Sequence, residues 1–135
     1  MQNELVARFD THKAIIGIIG LGYVGLPLAL RFSEAGFEVR GFDVDPAKSQ
    51  AIAKGLSYFS HISNHRVKQA VENGLTVTAD MAESAWVDAI IICVPTPLGK
   101  HQEPDLSFVT NTMDSIVPHL REGQVISLES TTYPG

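Results

Sequence analysis

Gly20, Gly22 and Gly25 stand at the spacing Gly-x-Gly-x-x-Gly, directly after the apolar run Ala14-Ile15-Ile16-Gly17-Ile18-Ile19. A strand that runs into such a turn and on into a helix makes a seat for a dinucleotide diphosphate. The first glycine permits the tight turn. The second lets the backbone approach the phosphates, and the third lets the helix pack close to the strand. The helix start then turns free N–H groups and the positive end of its dipole toward the anion. Asp43 lies 18 positions beyond Gly25, at the end of the next strand-like segment. A carboxylate there can accept hydrogen bonds from both hydroxyls of an adenosine ribose. It also repels a 2′-phosphate, since like charges near 4 Å cost about 1–4 kcal/mol between surface and bulk-water dielectrics. The expected cofactor is therefore NAD and not NADP. Asp45, just before Pro46, suits a helix cap better than Asp43 does. Lys48 comes within reach of the same ribose or phosphate, although a solvated helix lysine would read the same way.

Two further segments carry polar groups after strand-like runs. Pro95-Thr96-Pro97 is an extended turn fixed by its prolines, with a hydroxyl and an N–H between them. Glu129-Ser130-Thr131-Thr132 offers one carboxylate and three hydroxyls. Hydroxyls beside a nicotinamide can hold its ribose, its carboxamide or a water. Cys93 sits inside Ile90-Ile91-Ile92-Cys93-Val94, where burial makes a thiol inert. His61 and His65 could share a helix face, but no third ligand is placed and no metal site is expected. Tyr58 and Trp86 read as packing residues.

These groups need elements to position them. Strands are expected at residues 15–19, 38–43, 75–78, 88–94 and 124–129. Helices are expected at 24–35, from Pro46 to about 54, at 65–73, from an Asp80 cap to 85, and from an Asp105 cap to about 120. Residues 55–64 form an irregular connection. Alternating strands and helices imply a parallel sheet covered on both faces. The reading is an α/β, Rossmann-type doubly wound sheet of about five strands. Right-handed crossovers would then bring the glycine turn, Asp43, the Pro95-Thr96-Pro97 turn and Ser130-Thr131 to one crevice at the carboxyl ends of the strands.

Bulk properties narrow the function. A length of 135 residues fits one domain with a real core. The net charge of −5, with no basic stripe, argues against nucleic acid. One cysteine allows neither a disulfide framework nor a Cys-type zinc site. No apolar run approaches the roughly 20 residues of a membrane helix. Residues 1–13 are polar and mixed in charge, a short extension and not a signal peptide. A cytoplasmic location is expected.

On these residues the chain resembles the UDP-glucose/GDP-mannose dehydrogenase family of nucleotide-sugar 6-dehydrogenases, from about Lys13 to Gly135. The run Gly20-Leu21-Gly22-Tyr23-Val24-Gly25-Leu26-Pro27 is more specific than its glycines. Cys93-Val94-Pro95-Thr96-Pro97, Glu103-Pro104-Asp105-Leu106-Ser107 and Glu129-Ser130-Thr131-Thr132-Tyr133-Pro134-Gly135 match further signatures. The last two favour the branch that oxidises UDP-N-acetylhexosamines, especially UDP-N-acetylglucosamine. The resemblance implies oxidation of the sugar C6 hydroxyl to a carboxylate with two NAD. It places Tyr23 and Val24 over the diphosphate turn, and Asp43 and Lys48 at the adenosine ribose. Thr96 and Thr131 fall on the nicotinamide side, where Thr131 would help position a water, and Pro95 is expected among the cofactor-binding residues. Ser60 departs from the acidic residue that relatives often carry. Family members are about three times this length, and their catalytic cysteine, its assisting lysine and aspartate, and most sugar-nucleotide contacts lie in the C-terminal half. The glutamate base usually follows the last residue here. The expectation is thus an NAD-binding domain, residues 14–135, that binds NAD without turnover, from a homo-oligomeric enzyme of surface-polysaccharide precursor synthesis. Its sheet would be truncated relative to the full family domain, with one edge unpaired or covered by a neighbour. Two other readings remain: a free-standing non-catalytic NAD-binding module, and the N-terminal domain of a β-hydroxyacid-type dehydrogenase.

Overall fold

The computed structural model describes residues 13–95, 103 and 105–129. Five strands form one parallel sheet: β1 (Ile15–Ile19), β2 (Glu38–Phe42), β3 (Thr76–Thr78), β4 (Ala89–Ile92) and β5 (Val125–Leu128). Their spatial order is β3-β2-β1-β4-β5. β1 lies in the middle of the sheet; from it the chain winds out to β3, then returns to β4 on the other side of β1. The carboxyl ends of β1 and β4 therefore flank the switch point, where crossovers diverge and leave a crevice.

The central strands are apolar on both faces because both faces are covered. Ile16 pairs in register with Val39 on one side and Ala89 on the other. These residues and Ile18 pack under α1 (Gly25–Glu34) and α3 (Asn64–Glu72) through Leu26, Ala29, Leu30, Val67 and Ala70. Leu26, Ala29 and Leu30 recur at helical spacing, which turns one apolar stripe to the sheet. On the opposite face, Ile19, Phe42, Ile90 and Ile92 join Ile116 of α4 (Ser107–Ile116). The remaining helix, α2 (Pro46–Ala53), starts on Pro46 with the Asp45 side chain accepting from the Ala47 N–H at 2.9 Å. That is the cap expected of Asp45.

Most expected elements are present, with shifted ends. The segment after Asp80 is a 3-10 helix, Met81–Trp86, and Asp80 caps it by accepting from the Ala82 N–H at 3.0 Å. Trp86 does not pack; it is 66% exposed. The last helix stops at Ile116 and not near 120, because Pro118 has no N–H to continue the ladder. A 3-10 turn, Val117–His119, follows. Asp105 sits one residue ahead of the cap position but still accepts from the Ser107 N–H at 2.9 Å. β4 begins after Asp88, whose buried carboxylate accepts from the Ile15 N–H at 2.8 Å and ties the amino end of β4 to β1. Among the described residues β5 pairs only with β4, and all four of its residues are exposed. No helix of the described residues is long and apolar enough to cross a membrane.

Candidate dinucleotide site

The turn from β1 to α1 has a distinct requirement at each glycine. Gly20 has φ +92°, a backbone region that other residues rarely adopt. At Gly25 a Cβ would lie 1.6 Å from the Gly20 carbonyl oxygen, so only glycine lets α1 start this close to the turn. At Gly22 a Cβ would meet nothing within 4 Å. That space is open, as a backbone approached by a ligand requires. The N–H groups of Gly22, Tyr23 and Val24 make no hydrogen bond among the described residues. The cap position of α1, Val24, has no side-chain hydrogen bond, and its first turn has no acidic residue. In contrast, α2 and α3 are capped by Asp45 and Ser63. The start of α1 is thus a set of donors with positive potential and no internal acceptor, which suits an anion.

Asp43 stands directly after β2 with only 9% of its side chain exposed. One carboxylate oxygen accepts from the Leu21 N–H at 2.8 Å and the other from the Asp45 N–H at 2.9 Å. The ammonium of Lys48 is 3.7 Å from the first of these oxygens. The carboxylate therefore braces the glycine turn and keeps lone pairs that these two bonds do not use. Lys48 points at Asp43 and offsets part of its charge.

These groups line a cleft of about 520 Å³ at the carboxyl ends of the strands. That volume lies within the range of small-molecule sites. Gly20, Gly22, Tyr23, Asp43, Lys48 and Pro95 of the sequence-based set line it. Val24 and Gly25 belong to the turn and helix start behind. Thr96 and Thr131, with Pro97 and Ser130, lie outside the described residues. Cys93 is buried beneath the turn, and burial, with the charge of Glu129, pushes its thiol up to about 11. It is a structural thiol.

Sequence reasoning missed one wall of the cleft. Tyr58 and Phe59, from the connection after α2, close over the turn. The Tyr58 hydroxyl donates to the Leu21 carbonyl oxygen at 2.5 Å. Its burial, with Asp43 and Asp45 nearby, raises its ionisation above that of free tyrosine. Phe59 stacks on Tyr23 with ring centroids 4.8 Å apart. The aromatic pair in an otherwise irregular segment was the only local signal. Met81 and the α4 residues Phe108, Asn111, Thr112 and Ser115 complete the far wall. Nothing in their sequence pattern singles them out, because α4 reaches the cleft only through the crossover. His61 lies against the Phe59 ring at 5.7 Å, and among the described residues no group of three metal-ligating side chains converges.

Comparison with known proteins fits this geometry. The chain is 33% identical over 120 residues to a UDP-N-acetyl-D-glucosamine 6-dehydrogenase of Pseudomonas aeruginosa, covering 89% of this chain and 28% of that protein. It is 38% identical over 121 residues to a UDP-N-acetyl-D-mannosamine dehydrogenase of Yersinia pestis, with the same coverage of both chains. The solved structure of a UDP-N-acetyl-mannosamine dehydrogenase of Staphylococcus aureus superposes with a TM-score of 0.79 at 30% identity, covering 90% of this chain and 30% of that one. The chain therefore spans less than a third of the length of each of these three relatives. Residues 14–135 match the NAD binding domain of the UDP-glucose/GDP-mannose dehydrogenase family, and the chain belongs to that family.

Proposed function

We propose that this chain binds NAD across the switch-point cleft and supplies the oxidant to a nucleotide-sugar 6-dehydrogenase. The observation that carries the reading is that the Gly22 and Tyr23 N–H groups, unbonded among the described residues, share one cleft with the Asp43 carboxylate, with the unbonded Val24 N–H at the helix start just behind. The N–H groups take the diphosphate. Asp43 accepts from the hydroxyls of the adenosine ribose, with Lys48 alongside. Pro95, Thr96 and Thr131 serve the nicotinamide half, and Thr131 helps position a water. When bound, NAD supplies the hydride acceptor; the chain's own residues orient it and exclude the 2′-phosphorylated cofactor.

In the whole protein we read the reaction as oxidation of the C6 hydroxyl of a UDP-N-acetylhexosamine to the carboxylate, with two NAD. UDP-N-acetylglucosamine is the favoured substrate, since relatives named for it are among those that match. The covalent step needs an accessible thiolate, and the sole cysteine of this chain is buried with its thiol held protonated. Residues 14–135 then bind NAD without turnover, preceded by a short extension at 1–13. A cytoplasmic, homo-oligomeric parent enzyme of surface-polysaccharide precursor synthesis completes the proposal.

Titration calorimetry with NAD and NADP tests it. NAD should bind more tightly, and Asp43→Ala should cost about 1–3 kcal/mol of NAD binding, the scale of a charged hydrogen bond. Equal affinity for both cofactors, or for neither, refutes the role given to Asp43.

A further inference from the structure

The peptide groups of the glycine turn are fixed one after another, and one of the fixing groups is Tyr58. The Gly20 N–H donates to the Phe42 carbonyl at 2.8 Å. The Leu21 N–H donates to Asp43 at 2.8 Å. The peptide that follows, between Leu21 and Gly22, is held at its carbonyl by the Tyr58 hydroxyl at 2.5 Å. Among the described residues no peptide bond is cis, so the N–H of that peptide points opposite to its carbonyl. Fixing the Leu21 carbonyl therefore aims the Gly22 N–H away from Tyr58. Gly22 in turn accepts from the Leu26 N–H at 3.1 Å, which joins the turn to α1.

The connection that carries Tyr58 is itself anchored. Its Ser57 N–H donates to Asn64 at 2.8 Å, and Ser57 and Phe59 bond to each other through the serine hydroxyl. Ile62 is buried in the core, and Ser63 caps α3. Phe59 adds a ring contact to Tyr23 of the turn itself. A hydroxyl so placed, and kept protonated by burial, is a fixed donor.

We infer that Tyr58 is a positioning residue for the cofactor diphosphate: by holding the Leu21 carbonyl it pre-sets the Gly22 N–H as a phosphate donor. This rests on the NAD-binding reading above. Pre-setting removes an ordering cost that binding would otherwise carry. Its signature is selectivity within the ligand. Diphosphate-bearing ligands benefit, whereas adenosine, which reaches Asp43 but not the turn, does not.

The test is Tyr58→Phe, which keeps the ring and its packing. Calorimetry with NAD and ADP-ribose should show a loss of roughly 3–10-fold, the worth of one net hydrogen bond. An NMR titration with adenosine should give the wild-type affinity. In the ligand-free chain the Gly22 amide nitrogen signal should move, since the hydrogen bond to the preceding carbonyl is gone. Unchanged NAD and ADP-ribose affinities overturn the inference and leave NAD binding intact. An equal loss for adenosine also overturns it, by pointing to general damage to the cleft. Failure of the wild-type chain to bind any of the three overturns the NAD reading itself. An unmoved Gly22 signal overturns the clamp whatever the affinities.

Discussion

The glycine turn makes a prediction in which stability and binding separate. In Gly25→Ala the new Cβ starts 1.6 Å from the Gly20 carbonyl oxygen, whereas ordinary contact begins at 3.4 Å. One side must retreat by about 1.8 Å. Neither can move freely, because the Gly20–Leu21 peptide is braced by Asp43 and α1 is seated on the core through Leu26, Ala29 and Leu30. A steric insertion against backbone belongs at the upper end of overpacking costs, about 3 kcal/mol. For a domain of this size that lowers the melting temperature by roughly 10 °C. Gly22→Ala is the control. Its Cβ meets nothing within 4 Å, and its φ is not in the left-handed region. Stability should hold or rise by about 0.4–1 kcal/mol, as the unfolded chain loses freedom. NAD affinity should nevertheless fall about tenfold, roughly 1.4 kcal/mol, because the methyl would occupy the open space where the proposal seats the diphosphate. Differential scanning calorimetry and titration calorimetry on both variants supply the readouts. An unchanged melting temperature in Gly25→Ala, or a Gly22→Ala variant as unstable as Gly25→Ala, would refute the reasoning.

Other expectations follow from groups around the cleft and at the far end of the sheet. The Cys93 thiol ionises near 9 when unfolded and at about 11 when folded, so the protonated form is favoured by folding. Stability should hold below pH 9 and fall as pH rises through 11, by at most about 3 kcal/mol relative to Cys93→Ala; parallel pH profiles would contradict this. At pH 8 a thiol reagent should modify Cys93 only as fast as the chain opens, and immediate stoichiometric reaction would show that the thiol is accessible. Arg121 donates to the carbonyls of Ala85 at 2.7 Å and Val87 at 3.0 Å and lies 3.4 Å from the buried Asp88 carboxylate. Arg121→Ala should cost about 1–2 kcal/mol in urea unfolding, a discounted figure for a half-exposed side chain. NAD affinity should not change, since this network sits at the amino end of β4, opposite the cleft; a parallel loss of affinity would contradict that separation.

The motif residues were legible because local sequence dictates local geometry. Three glycines after Ile15–Ile19 fix the turn, and Asp43 marks the end of β2 by position alone. Asp45 and Asp80 announce helix starts through hydrogen bonds that span two residues. Trp86 was misread because the 3-10 helix that carries it packs against α4 and the Val117–His119 turn, which lie more than 20 positions further along the chain and leave the indole exposed. The family match also removes the β-hydroxyacid-type reading, which the glycine spacing alone had left open.

By itself the sequence determined the glycine turn, the carboxylate at the end of the second strand and the parallel sheet that brings them together. The turn and the carboxylate are marked by residue types at single strand ends, and the sheet by the alternation of strands and helices. Tertiary structure decided how that site is finished. Asp43 braces Leu21 from 22 positions away, and Tyr58 holds the same residue from 37 positions away. The polar face of α4 reaches the cleft only because the chain crosses over at the switch point. Such pairings depend on which elements pack together, and no local pattern of residue types records them.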